Sequence, residues 1–161
     1  MLNGNLYVTE CLGLSGGYSD AVLEKISKIA RDNQINTILV EQNFGGGMFA
    51  ELLKPFLMRF HPCQLEDVRN NKTKELRIID TLEPVMNSHR LIIDQKVIEK
   101  DFRSNPQETP ERRLKLQLVY QLSRLSKHKG SLVHDDLVDS LAGAVAYWTE
   151  YMAQNEDLNI S

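Results

Sequence analysis

Residues 5–14, Asn-Leu-Tyr-Val-Thr-Glu-Cys-Leu-Gly-Leu, place apolar side chains at alternate positions, and a period of two predicts a β-strand. Ser15-Gly16-Gly17 ends it. From Ser19 to about Asn33 the period lengthens: Val22, Ile26 and Ile29-Ala30 recur at helical spacing, with Ser19 or Asp20 as the N-cap. Thr37-Ile38-Leu39-Val40 is a short, nearly continuous apolar run, the pattern of a strand buried on both faces of a parallel sheet. Strand, helix and strand in that order predict a βαβ unit with a right-handed crossover.

The polar tip Glu41-Gln42-Asn43 and Gly45-Gly46-Gly47 then lead into a helix carrying Phe49, Leu52-Leu53, Phe56 and Leu57, with a kink predicted at Pro55. A strand over 63–68 precedes the polar loop Asn70-Asn71-Lys72-Thr73. Leu76, Ile78-Ile79, Leu82 and Val85-Met86 keep helical period, and Arg90-Leu91-Ile92-Ile93-Asp94 reads as another strand. Residues 103–110 are the one linker-like stretch, too short to divide domains. Leu114, Leu118, Gln121-Leu122 and Leu125 predict one helix, and a last helix spans about Asp135 to Gln154 with Leu137-Val138, Leu141, Ala144-Val145 and Trp148 facing inward. Alternating strands and helices predict a single α/β domain over residues 1–161.

Composition narrows the function classes. No stretch approaches the roughly 20 apolar residues of a membrane helix, and the first residues have neither a basic segment nor an apolar core of secretion-signal type. Cys11 and Cys63 stand far apart without Cys-x-x-Cys spacing, so neither a zinc framework nor a disulfide is expected. The net charge of −3 means that any contact with nucleic acid rests on a local basic patch.

Two acidic features carry candidate chemistry. Glu41 ends an apolar strand at its carboxyl edge, where reactive groups gather in open α/β sheets. His134-Asp135-Asp136-Leu137-Val138-Asp139 opens the last helix, and Asp136 and Asp139 at i and i+3, with Asp135 at i−4 from Asp139, share a face. Acids favour a helix start by about 0.3–1 kcal/mol each, but the effect fades within a turn and three neighbouring carboxylates repel unless a cation neutralises them. Carboxylate oxygens suit Mg²⁺ or Mn²⁺, and a strand-end Glu with helix-borne Asp residues supplies the parts of a two-metal phosphodiester hydrolysis site. That reading requires folding to bring the strand tip and the final helix together. His134 and Asn43 are candidate supporting residues around the ions. Arg69, Lys72, Lys74 and Arg77 around one polar loop, with Arg90, are candidate DNA-backbone contacts.

In this order the segments Gly4-Asn5-Leu6-Tyr7, Gly16-Gly17-Tyr18-Ser19, Val40 to Phe49, Lys74 to Ile78, Asp80 to Pro84, Ser88 to Ile92 and His134 to Leu141 resemble the nuclease domain of the large terminase subunit of short-tailed phages, over roughly residues 3–150. The resemblance implies an RNase H-like mixed sheet flanked by helices and a metal-dependent endonuclease that cuts concatemeric viral DNA. It implies catalytic acids at Glu41 and in the final helix, Asp136 first, Asp139 second and Asp135 third. It implies double-stranded DNA, the terminase ATPase domain, the small terminase subunit and the procapsid portal as partners, in the cytoplasm of the infected bacterium and with no membrane.

The family's first catalytic aspartate lies on an upstream strand that this sequence is expected to lack, and no phosphate-binding loop of an ATPase motor occurs. Weak metal binding and poor cutting are therefore expected. A fragment, a separately encoded piece and a decayed prophage remnant are the alternatives left open. Two other functions compete. One is a non-catalytic DNA-binding or docking module. The other is a dinucleotide-binding domain suggested by Gly45-x-Gly47-x-x-Ala50 with Glu66 downstream, although four residues separate that motif from the strand.

Overall fold

The computed structural model describes residues 4–42, 47–69, 73–126, 128, 130 and 132–158, and in the final helix the side chains of 136–151, 153 and 154. The chain divides into two compact units, residues 14–71 and residues 1–13 with 72–161.

In the unit of residues 14–71, α1 (Asp20–Asp32) precedes β2 (Thr37–Glu41), α2 (Met48–Phe60) and β3 (Gln64–Val68). The strands pair in parallel, Thr37 opposite Gln64 through Glu41 opposite Val68. The βαβ unit of this chain is therefore β2–α2–β3. The expected one, from the first strand through α1 to β2, does not form, because the first strand, β1 (Leu6–Val8), pairs elsewhere. Leu23 and Ala30 of α1 pack with Leu53 and Leu57 of α2. The buried face of α1 is Leu23, Ser27 and Ala30, a small rotation from the predicted one. Ser27 is tolerated there because its hydroxyl donates to the Leu23 carbonyl at 3.0 Å. In β2 only Val40 is fully buried, so the continuous apolar run overstates its burial. Pro55 lies inside α2, which continues through it to Phe60.

In the other unit, β1 pairs in parallel with β4 (Leu91–Ile93), Leu6 opposite Leu91. The expected strand over 5–14 shrinks to three residues because its partner stops. The Asp94 amide donates to the Val8 carbonyl at 3.1 Å, and Asp94 then caps α4 (Gln95–Arg103), its carboxylate accepting from the Lys96 amide at 2.8 Å. Every described strand pair is thus parallel, in place of the expected mixed sheet. Parallel neighbours need helical crossovers, and the helices between these strands provide them.

Helix α3 (Lys74–Asn87) follows the predicted period, and Ile78, Leu82 and Val85 pack with Leu137, Val138, Leu141, Ala142 and Val145 of α7 (Asp136–Leu158). Ala144 and Trp148, predicted to face inward, are exposed; Ala142 takes the inner position, and Trp148 makes edge contacts with Tyr147 and Tyr151. The helix predicted across 114–125 is two, α5 (Pro110–Lys115) and α6 (Leu118–Arg124), broken where Gln117 turns extended. Buried Asp101 fixes the break by accepting from the amides of Leu118 at 2.7 Å and Val119 at 3.1 Å.

Candidate functional site

Glu41 is the last residue of β2 and is half-buried at the strand's carboxyl end. The next residue continues the ladder, Gln42 N–H donating to the Val68 carbonyl at 3.0 Å. The Gln42 side-chain carbonyl accepts from Nε of Arg69, an exposed side chain just beyond β3. Asn43 and Lys72 lie outside the described residues. Gly47 is the N-cap of α2 at φ 90°, a left-handed conformation that glycine adopts without steric cost. Glu66 is an exposed residue in the middle of β3, not at its end.

The acidic segment lies in the other unit, where the first turns of α3 and α7 meet. Lys74 and Arg77, one turn apart at the start of α3, face Asp135 and Asp139. Lys74 Nζ lies 2.8 Å from Asp135 Oδ1 and 3.1 Å from Asp139 Oδ2. Arg77 Nη2 lies 2.5 Å from Asp139 Oδ1. Burial alone would lower the Lys74 pKa, but the hydrogen bonds and charges of Asp135 and Asp139 outweigh it and hold the ammonium above its ordinary value. The cation that neutralises these acids is therefore the protein's own. Asp136 is exposed and has no ion pair among the described residues. His134 is half-buried in an open groove with Thr109, Glu111, Arg112, Lys115 and Val133.

The candidate phosphate contacts separate accordingly. Lys74 and Arg77 are bound to carboxylates, and Arg90 Nε donates to the Gly4 carbonyl at 2.8 Å. Arg69 is the one of the described candidates that stands exposed. A cue in the sequence for the Lys74 and Arg77 pairing is their place in a first helical turn, where cations oppose the helix dipole and need an acidic partner.

Asp135 and Asp139 are hard oxygen donors, but as arranged they do not fit a divalent ion. Both oxygens of Asp139 and one of Asp135 face Lys74 or Arg77. Among the described residues no three His, Cys, Asp or Glu side chains form a group that could hold a metal. No described helix is long and apolar enough to cross a membrane.

The family described as "Terminase Bacteriophage T7, Ribonuclease H-like domain" matches residues 1–91. The chain is also 40% identical over 146 residues to the terminase large subunit of Enterobacteria phage T3, covering 91% of this chain and 25% of that protein. It therefore spans about a quarter of the length of that relative.

Proposed function

Because the chain belongs to the bacteriophage T7 terminase ribonuclease H-like domain family, we propose that it is an endonuclease part of a phage DNA-packaging terminase, hydrolysing phosphodiester bonds of concatemeric DNA with Mg²⁺ or Mn²⁺. The family match carries the reading. The placement of Glu41 at the carboxyl end of a parallel strand supports a catalytic role for that residue, since this edge is where open α/β sheets expose their reactive groups. Asp136 is the second proposed acid, exposed at the start of α7. Arg69 is the proposed backbone contact, positioning the duplex without reading sequence. The ATPase domain, the small subunit and the portal are the proposed partners in the infected cell.

The test is a nicking assay on supercoiled plasmid with Mn²⁺, Mg²⁺ or chelator. Weak, metal-dependent nicking is expected, reduced at least about tenfold by Glu41→Ala and by Asp136→Ala, the size of effect that loss of a catalytic group brings. Arg69→Ala is expected to weaken duplex binding and to flatten its salt dependence by about one counterion. Nicking untouched by both acid variants would refute the assignment of these acids. A gel shift without cleavage in any metal would favour the DNA-binding module instead.

A further inference from the structure

The three aspartates at the start of α7 differ in their surroundings. Asp139 is 13% exposed and its partner Arg77 14%, with Arg77 Nη2 on one carboxylate oxygen and Lys74 Nζ on the other. Arg77 Nε is buried with no hydrogen-bond partner among the described residues, so Asp139 carries most of that guanidinium's compensation. Lys74 and Arg77 occupy the first turn of α3, where the helix dipole disfavours positive charge; Asp136 and Asp139 occupy the first turn of α7, where negative charge is favoured. Cross-pairing relieves the first helix with the acids of the second. The contact caps the apolar seam of Ile78, Leu82, Leu137, Val138 and Leu141. Asp136, within the same turn, is left facing solvent.

We infer that Asp139, with Asp135, is a positioning residue that latches α7 to α3 through Arg77 and Lys74 and takes no part in holding an ion. Their exclusion from ion binding rests on the nuclease reading above; the latch does not. Half-buried Lys74, 40% exposed, is the weaker arm of the latch, and Arg77 the stronger, because screening by water removes most of an exposed pair's value.

The latch makes an unusual prediction for a carboxylate in an acidic motif: it is replaceable by hydrocarbon. Removing one partner of a buried pair strands the other charge, whereas replacing both with apolar side chains is often neutral. Thermal unfolding and Mn²⁺ uptake, followed by the electron paramagnetic resonance of free Mn²⁺, are measured on the wild-type chain and on D136N, D139N and R77M/D139L. D139N is expected to lower Tm by about 5 °C or more, and R77M/D139L to recover at least half of that loss. Both retain Mn²⁺ affinity within about threefold, whereas D136N, at the acid proposed above, loses at least about tenfold and lowers Tm by only a few degrees through the lost charge at a helix start.

An R77M/D139L chain that regains its Tm but loses Mn²⁺ uptake assigns Asp139 to the ion and overturns the inference, as does a D139N chain as stable as wild type. If the wild-type chain takes up no Mn²⁺, the nuclease reading fails, and the Tm series alone decides the latch. A fall in D139N restored in the double variant upholds it, and no fall overturns it.

Discussion

The side-chain carbonyl of Gln121 accepts a hydrogen bond from the backbone amide of Val138 at 3.2 Å, and both residues are almost wholly buried. The first amides of a helix have no partner within it. Here one of them, in the turn that carries Asp136 and Asp139, is satisfied from α6. The Gln121 amide group donates in turn to the Lys115 carbonyl at 3.3 Å, so one side chain joins α5, α6 and α7. Gln121→Leu keeps much of the volume but leaves the buried Val138 amide without its acceptor and removes the donor to the part-buried Lys115 carbonyl. It is expected to cost about 1–3 kcal/mol, read as a lower urea midpoint at unchanged m-value. A midpoint equal to wild type would show that the bond contributes nothing.

Asp101 does the same for α6. It is 4% exposed and accepts from two successive amides, Leu118 and Val119. Asp101→Ala removes both acceptors, as loss of an N-cap does, at a cost of about 1–2 kcal/mol. Hydrogen exchange is the sharper measurement. The Leu118 and Val119 amides should exchange faster in the variant while amides in the middle of α1, in the other unit, keep their rates. Equal acceleration everywhere would mean global destabilisation instead of a lost cap.

These capping contacts mark the limit of what the sequence discloses. The run Thr37 to Val40, the period of α3 and the start of α7 are legible because each is written in neighbouring residues, and so is the placement of Glu41 at a strand end. Helix α4 is not. Of its apolar residues only Val97 is fully buried, whereas Ile98 and Phe102 are exposed and Asp101 is buried, so the apolar pattern points the wrong way. The extent of β1 is set by a partner, β4, that ends where Asp94 begins a helix. Lys74 and Arg77 read locally as charges for a phosphate backbone. Their carboxylate partners lie far along the chain, and no local spacing encodes that pairing.

Gly47 offers a test of backbone conformation separated from packing. Its φ of 90° lies where an L side chain is strained, yet a Cβ added there would meet nothing within 4 Å. Gly47→Ala should therefore cost only the backbone penalty, about 1–2 kcal/mol. The cost should fall on the unit containing α2, seen as earlier unfolding of that unit. A stability gain would mean that the left-handed conformation is not held in solution, since Ala otherwise stabilises by restricting the unfolded chain.

Cys11 packs against the core of its unit, and burial, followed by the charges of Asp101 and Glu10, raises its thiol from 9.0 to about 11. The sign of the stability effect follows from proton counting. Below pH 9 the thiol is protonated in both folded and unfolded chains and contributes no pH dependence. Between pH 9 and about 11 the unfolded chain releases the proton while the folded chain keeps it, so rising pH draws the chain toward unfolding. By pH 11 the accumulated loss is about 2 kcal/mol. Cys11→Ala removes this contribution while leaving the chain's other titrating groups in place. The measurement is the difference in urea midpoint between wild type and variant at pH 8 and at pH 10.5. Wild type should lose ground to the variant over that interval, and a difference that stays constant would place the Cys11 thiol in a far more polar setting than the one described.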